Sequence, residues 1–284
     1  MKDSLRQQLQ RLELRLAELD ATLADGSVMA DMARYRSLAR EQAAARTVMG
    51  ELRAAMEKVT RTALDPVCAG RTDAGVHGWG QVVSVDLPAG TDLGGLQRRL
   101  NKMCAPEISV REMRWCTDPE FSARFSATWR RYRYHLLNSP EPNPFVARTA
   151  WHVAEPLRLW AMDLACDPLI GEHDFSSFCR KPKPADGEDE PSLTRRVISA
   201  GWHEVPESVH GAVPGLLRFE IRANAFCHQM VRSIVGTLVD VGLGRLHAGD
   251  VRGILLGRDR QAAGRVAPPH GLVLWEVGYP PEPN

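Results

Sequence analysis

The chain has no apolar run approaching the ~20 residues that a membrane-spanning helix needs, and its first residues lack the short apolar core of a secretory signal. Both absences lead to the expectation of a cytoplasmic protein without a membrane partner. Its six cysteines stand singly, with no C-x-x-C pair and no His/Cys group at zinc-ligand spacing. Reduced thiols are therefore expected rather than a disulfide framework or a metal centre. A phosphate-binding glycine loop of the nucleotide-dependent enzymes is missing as well. Charge of one sign is not in excess either: 36 Lys+Arg against 35 Asp+Glu leave a formal +1. Nucleic-acid binding, if any, must then come from local arginine patches rather than from a polycationic whole. What is present is ordinary for a folded protein, with 44% hydrophobic and 25% charged residues over 284 positions. That length suffices for two domains or one large core.

The first part of the chain differs from the rest. Leu5, Leu9, Leu12, Leu16, Leu19 and Leu23 alternate at spacings of four and three, a stripe on one helix face. After "ADGS" a second, weaker stripe runs through Met32, Tyr35, Leu38, Ala45, Met49, Leu52, Met56 and Val59, broken by the polar Gln42. Residues 1–45 are thus expected to form a helical hairpin, serving either as a partner-binding arm or as a pair packed on its own body.

Beyond "DP" at 65–66 the pattern becomes mixed. Residues 81–87 ("QVVSVDL") and 108–115 ("ISVREMRW") read as strands, with a helix in "LGGLQRRLNKMC" between them. Further strands are expected in "RRYRYHLL", "LRFEIRANAF" and "LVLWEV", and helices in "LRLWAMDLACDPLI" and "CHQMVRSIVGTLVDVG". Together these define an α+β fold with largely antiparallel sheet and helices on one face. "CRKPKPADGEDEPS" (179–192) reads as a surface loop, whose Arg180, Lys181 and Lys183 either meet a phosphate backbone or remain solvated.

One carboxylate stands out. In "CAGRTDAGVHGWGQVV", Asp73 follows Arg71 and lies among Gly70, Gly75, Gly78 and Gly80, which permit tight turns and close approach of a ligand to the backbone. Taken alone, the stretch reads equally as a hairpin with an exposed turn aspartate. "RRYRYHL" places Tyr132 and Tyr134 on one face of a strand and Arg131 and Arg133 on the other, a stacking surface backed by phosphate-binding cations or else a core aromatic pair with a solvated edge. Arg232 in "FCHQMVR" suits a carboxylate partner or solvent.

Taken in order, "AGRTDAGVHGWGQVV", "RRYRYHL", "HDFSSFC", "NAFCHQMVRSIVGTLVDVG" and "APPHGLVLWEVGYP" resemble the motifs of the tRNA pseudouridine synthase A family, from about residue 46 nearly to the C-terminus. The resemblance implies a cofactor-free, metal-free isomerisation of uridine to pseudouridine in the anticodon stem-loop of tRNA, at tRNA positions 38–40. It also implies a homodimer that clamps the tRNA. By the same resemblance Asp73 is the essential carboxylate, Tyr132 stacks on the extruded base, and Arg71 fills the vacated space or holds the flipped nucleotide. Arg232 is the counter-charge that opposes the desolvation of Asp73, and Leu272 and Leu274 wall the site. His77 and His228 fall within the motifs and receive no acid-base part.

The resemblance also implies an architecture of two ferredoxin-like lobes, residues 46–120 with the aspartate loop and residues 121–284. Members open with a β-strand and a "DGT…F.GW" loop, which this chain lacks, so its first lobe is expected without its usual first strand. In their place residues 1–45 resemble the N-terminal helical domain of bacterial peptide chain release factor 1. An alternative follows: a non-catalytic tRNA- or ribosome-binding fusion, with the hairpin as the contact and the synthase body impaired.

Overall fold

The computed structural model describes residues 48–181, 192–206 and 213–280. The hairpin expected over residues 1–45 and Lys183 lie outside the described residues. The chain divides into two compact units, one of Met1–Val67 with Ser84–Glu120 and the other of Cys68–Val83 with Phe121–Asn284. The aspartate loop thus groups with the later part of the chain.

In the first unit, α1 (Val48–Thr60) and α2 (Leu93–Met103) pack on each other. Leu52, Ala55 and Met56 of α1 recur at helical spacing and are buried, as are Leu96 and Leu100 of α2. α2 starts at Asp92, whose side chain accepts from the Gly95 N–H and satisfies one of the donors that a helix start leaves open. The strands expected at 81–87 and 108–115 do not form as such. Only β3 (Val83–Ser84) appears in the first, paired with the equally short β1 (Val67–Cys68), and the second has none. A strand exists only as a hydrogen-bonded partner of another; among the described residues β1 offers residues 81–87 only a two-residue partner, and no strand pairs with 108–115. Residues 108–115 are tied down by side chains instead: Asn101 brackets the backbone of Val110 through its Nδ2 and Oδ1.

The second unit is built on a sheet in the order β2-β9-β4-β8-β7-β6, with β5 added to β4. Its strands are β2 (His77–Gly78), β4 (Trp129–Asn138), β5 (Trp151–Val153), β6 (Gly171–Asp174), β7 (Thr194–Glu204), β8 (Leu216–Ala223) and β9 (Leu272–Gly278). The long ladders are antiparallel, whereas β2–β9 and β4–β5 run parallel, so the sheet is mixed rather than wholly antiparallel. In β4, Tyr132, Tyr134 and Leu136 point into the core and alternate with Arg131, Arg133 and His135 on the other face. In β8, Phe219 and Ile221 do the same between Arg218, Glu220 and Arg222.

Against the inward face packs α4 (Met230–Gly242), preceded in the chain by α3 (Leu159–Leu164) and followed by α5 (Asp250–Gly257). α4 has eleven of its thirteen residues buried, as "MVRSIVGTLVDVG", apolar on nearly every side, requires. The two that are not are Arg232 and Asp240, and both carry ion pairs. α3 is shorter than its pattern suggests: Pro168 cannot continue a helix, and the chain turns there into a one-turn 3-10 helix, Asp167–Leu169.

Phe219 is wholly enclosed between β8 and its neighbours. Phe219→Ala is expected to lower the stability of the protein by about 3–5 kcal/mol, read as a lower urea midpoint with an unchanged denaturant slope.

Candidate active site

The Asp73 loop is shaped by three sets of backbone contacts. Its base is closed by Gln81, whose side-chain amide donates to Gly70 O at 2.6 Å and accepts from Gly70 N–H at 3.1 Å. Its tip is a turn in which Val76 N–H donates to Asp73 O at 3.0 Å and Gly75 takes a φ of 82°, the left-handed region that favours glycine. Its far side rests on β9, where the N–H groups of Trp79 and Gly80 both donate to Leu274 O at 3.0 Å. A Cβ on Gly80 would lie 2.2 Å from Trp275 O, so only glycine permits that approach.

These contacts deliver Asp73 to the start of α4. Arg232 Nη1 donates to Asp73 Oδ2 at 2.7 Å, and His228 Nε2 lies 3.1 Å from Asp73 Oδ1. Arg232 is itself held, its Nε donating to Ala267 O at 2.7 Å, and its side chain is 14% exposed. The Asp73 side chain keeps 22% of its surface open and that of His228 49%. Ahead of α4 the chain turns through Gln229, a non-glycine residue at φ 63°. Such conformations cost on the order of 1–3 kcal/mol and persist only where the surroundings impose them.

Beside the carboxylate lies Tyr132. Its ring meets Phe226 edge-on at 4.9 Å, and 7% of the residue is exposed. Burial, with the nearby Asp73 adding to it and Arg130 opposing, pushes the Tyr132 phenol up to about 12, so it is uncharged at neutral pH. Leu274 and Leu272 are the register partners of Tyr132 and Tyr134 on β9. The register shifts between Arg131 and Tyr132, so that Trp275 is passed over and Leu274 falls beside Tyr132. Both leucines are buried. Arg71 is exposed, two residues before Asp73, and makes no ion pair with a described residue.

The structure thus brings Asp73, Arg232, Tyr132, Leu272 and Leu274 together within the second unit and leaves Arg71 at its rim. Arg131 and Arg133 do not serve as free phosphate-binding cations. The ladder sets Arg133 opposite Glu220 and Arg131 opposite Glu276, and both arginines are paired to these carboxylates, Arg133 Nε to Glu220 Oε2 at 2.7 Å. Arg133 also lies over the Trp275 ring at 3.8 Å, and Trp275 stacks on Trp79.

Two residues to which the sequence pattern gives no chemical part matter here. His228 is one; its ring meets the carboxylate, while His77 donates through Nε2 to Arg148 O at 3.1 Å and stays apart. Arg130 is the other. Its guanidinium donates to the carbonyls of Ala69, Arg124, Ala127 and Asn224, tying the aspartate loop to β4 and to the end of β8. The signal for Arg130 was its even position in "RRYRYHL", which puts it on the tyrosine side, where a cation must find partners.

A family model described as tRNA pseudouridine synthase matches residues 165–280, which include β6 to β9, α4 and Arg232. The mixed α+β unit is consistent with a pseudouridine synthase domain. Among curated relatives, tRNA pseudouridine synthase A of Frankia casuarinae is 39% identical over 264 residues, covering 92% of this chain and 88% of that protein. Its alignment therefore reaches into the first 45 residues. The protein of the same name from Brevibacillus brevis is 37% identical over 82% of this chain and 90% of its own, and that of Bacillus subtilis 35% over the same shares. The chain belongs to the tRNA pseudouridine synthase A family, and it is an isomerase.

Two outcomes follow from this geometry. Arg130→Met, which leaves four carbonyls without their donor, is expected to lower stability by about 2–4 kcal/mol and to expose the aspartate loop to proteolysis. The second concerns alkali. Below pH 10 Tyr132 is protonated whether the chain is folded or not; between 10 and about 12 only the unfolded chain ionises it. Its contribution to stability is therefore fully present below pH 10 and lost as pH rises through about 12, on the order of 3 kcal/mol. Tyr279, pushed up by burial to about 12, and Tyr134, raised further, act in the same direction. Tyrosinate absorbance of the native protein should lag that of the unfolded chain, and Tyr132→Phe should narrow the gap.

Proposed function

We propose that the protein converts uridine to pseudouridine in the anticodon stem-loop of tRNA, with Asp73 as the reacting carboxylate and no cofactor. The observation that carries this reading is the Asp73–Arg232 pair: a partly open carboxylate, delivered by a glycine-shaped loop, against a guanidinium anchored in the buried start of α4. The reaction detaches uracil from the ribose at nitrogen and rejoins it at carbon. That carbon loses a proton and the nitrogen gains one, so nothing is consumed.

The target nucleotide must leave the helical stack to reach Asp73, at a cost of a few kcal/mol. Arg71, exposed at the rim, meets the RNA as that happens. As the base enters, water leaves the carboxylate, and Arg232 keeps its charge compensated. Asp73 then acts as nucleophile or base on the sugar or the ring. Tyr132, uncharged and backed by Leu274 and Phe226, forms the apolar side against which the base rests. The partners under this reading are tRNA and a second copy of the chain, in the cytoplasm. The release-factor-like pattern of residues 1–45, and with it a ribosome contact, plays no part in it.

The test is to incubate purified protein with an unmodified tRNA transcript and map pseudouridine along the anticodon arm. Wild type is expected to give product in that arm, Asp73→Asn to fall below detection, and Arg232→Gln to lose about 10²-fold or more in rate. A well-folded wild type that forms no product, or an Asp73→Asn variant that forms as much, would sink the proposal.

A further inference from the structure

Asp73 meets a basic side chain at each of its oxygens, and the two contacts differ: a hydrogen bond from Arg232 and a close approach of His228. Arg232 reaches Oδ2 from inside, its guanidinium nearly enclosed and fixed to Ala267 O. His228 reaches Oδ1 from the open side, with about half of its side chain exposed. A carboxylate with a donor on one oxygen alone can still swing about that contact. A donor on the other oxygen sets its plane.

The backbone shows that the imidazole is not a casual surface contact. The His228 carbonyl accepts from Arg180 N–H at 3.0 Å, which fixes the peptide on one side. On the other, Gln229 stands at φ 63° and turns the chain into α4, so that residues 228 and 232 both face the aspartate loop. The same short segment carries Phe226, edge-on to Tyr132. One strained turn therefore delivers an imidazole nitrogen to within 3.1 Å of the carboxylate and an aromatic ring to the tyrosine beside it.

We propose that His228 is a positioning residue: by donating its Nε2–H to Asp73 Oδ1 it fixes the plane of the carboxylate against Arg232 and aims it at the bound nucleotide. The inference rests on the reading of Asp73 as the reacting carboxylate. It assigns His228 no part in the bond changes, only in the alignment of the group that makes them. Misplacement of a reacting group by about 1 Å is worth on the order of 10² in rate, which sets the size of the effect.

The experiment compares wild type, His228→Ala and His228→Gln in single-turnover pseudouridylation of an unmodified tRNA transcript, with the tRNA Kd and thermal midpoint measured for each. The glutamine amide reaches where Nε2 lies, so it restores the donor without the ring. His228→Ala is expected to slow the single-turnover step by about 10- to 100-fold with tRNA affinity and thermal midpoint unchanged, and His228→Gln to recover most of the loss. An alanine variant as fast as wild type, equal impairment of both variants, or a loss confined to tRNA affinity overturns the proposal. A second readout is independent of catalysis: in proton–nitrogen spectra of histidine-labelled protein, the His228 Nε2 signal should move in Asp73→Asn. An unmoved signal overturns the clamp. A wild type without product counts against the functional reading alone, and the spectra then decide the clamp by themselves.

Discussion

A charge placed on a helix that is otherwise buried must find a partner, and in this protein the partner is a loop. α4 presents Arg232 near its start, inside the core-facing end of the second unit. A guanidinium so enclosed is destabilising unless its donors are used, and Ala267 O and Asp73 Oδ2 use them. The pairing works in both directions. It compensates the arginine, and it joins Val76, packed on the core, and Trp79, stacked on Trp275, in holding a glycine-rich loop onto the sheet.

The remaining features serve to keep that loop in reach. Leu274 O, shared by two loop N–H groups, and Arg130, spread over four carbonyls, anchor its two ends. The irregular register between β4 and β9 sets Leu274 beside Tyr132, and the turn at Gln229 brings Phe226 and His228 to the same place. On the opposite face of the sheet the arginines of β4 are spent on Glu220 and Glu276. There burial works against the ionised carboxylate, yet the Arg133 hydrogen bond and the charges of Arg133, Arg131 and Arg218 hold Glu220 below its usual range. On that face Arg131 and Arg133 are tied to Glu220 and Glu276, and Arg222 lies over the Trp129 ring.

Much of this was legible in the residues. The two-residue alternation of "RRYRYHLL" and "LRFEIRANAF" matches β4 and β8, and the apolar run of "MVRSIVGTLVDVG" matches a buried helix, because each pattern is set by the element's own repeat. β7 was not legible: its register shifts between Val197 and Ser199, which moves the buried positions from one parity to the other and erases the alternation. Residues 81–87 and 108–115 alternate as strands do, yet a strand also needs a neighbour, and among the described residues only the two-residue β1 pairs with the first and no strand with the second. His228 falls within a motif yet receives no chemical part from the sequence for a related reason, since its meaning lies in a contact 155 positions away in the chain.

By itself, then, the sequence determined the family, the faces of the main strands, the burial of α4 and the residue types from which the site is made, because these follow from local repeats and from ordered motifs. Only the tertiary structure decided which side chains approach which oxygen of Asp73, that Arg131 and Arg133 are occupied, and that Arg130 ties down the Asp73 loop while His228 meets the carboxylate. Those are matters of distance between segments far apart in the chain. They are decided by a register shift, a left-handed turn and a glycine approach whose geometry appears only when the sheet and helix have packed.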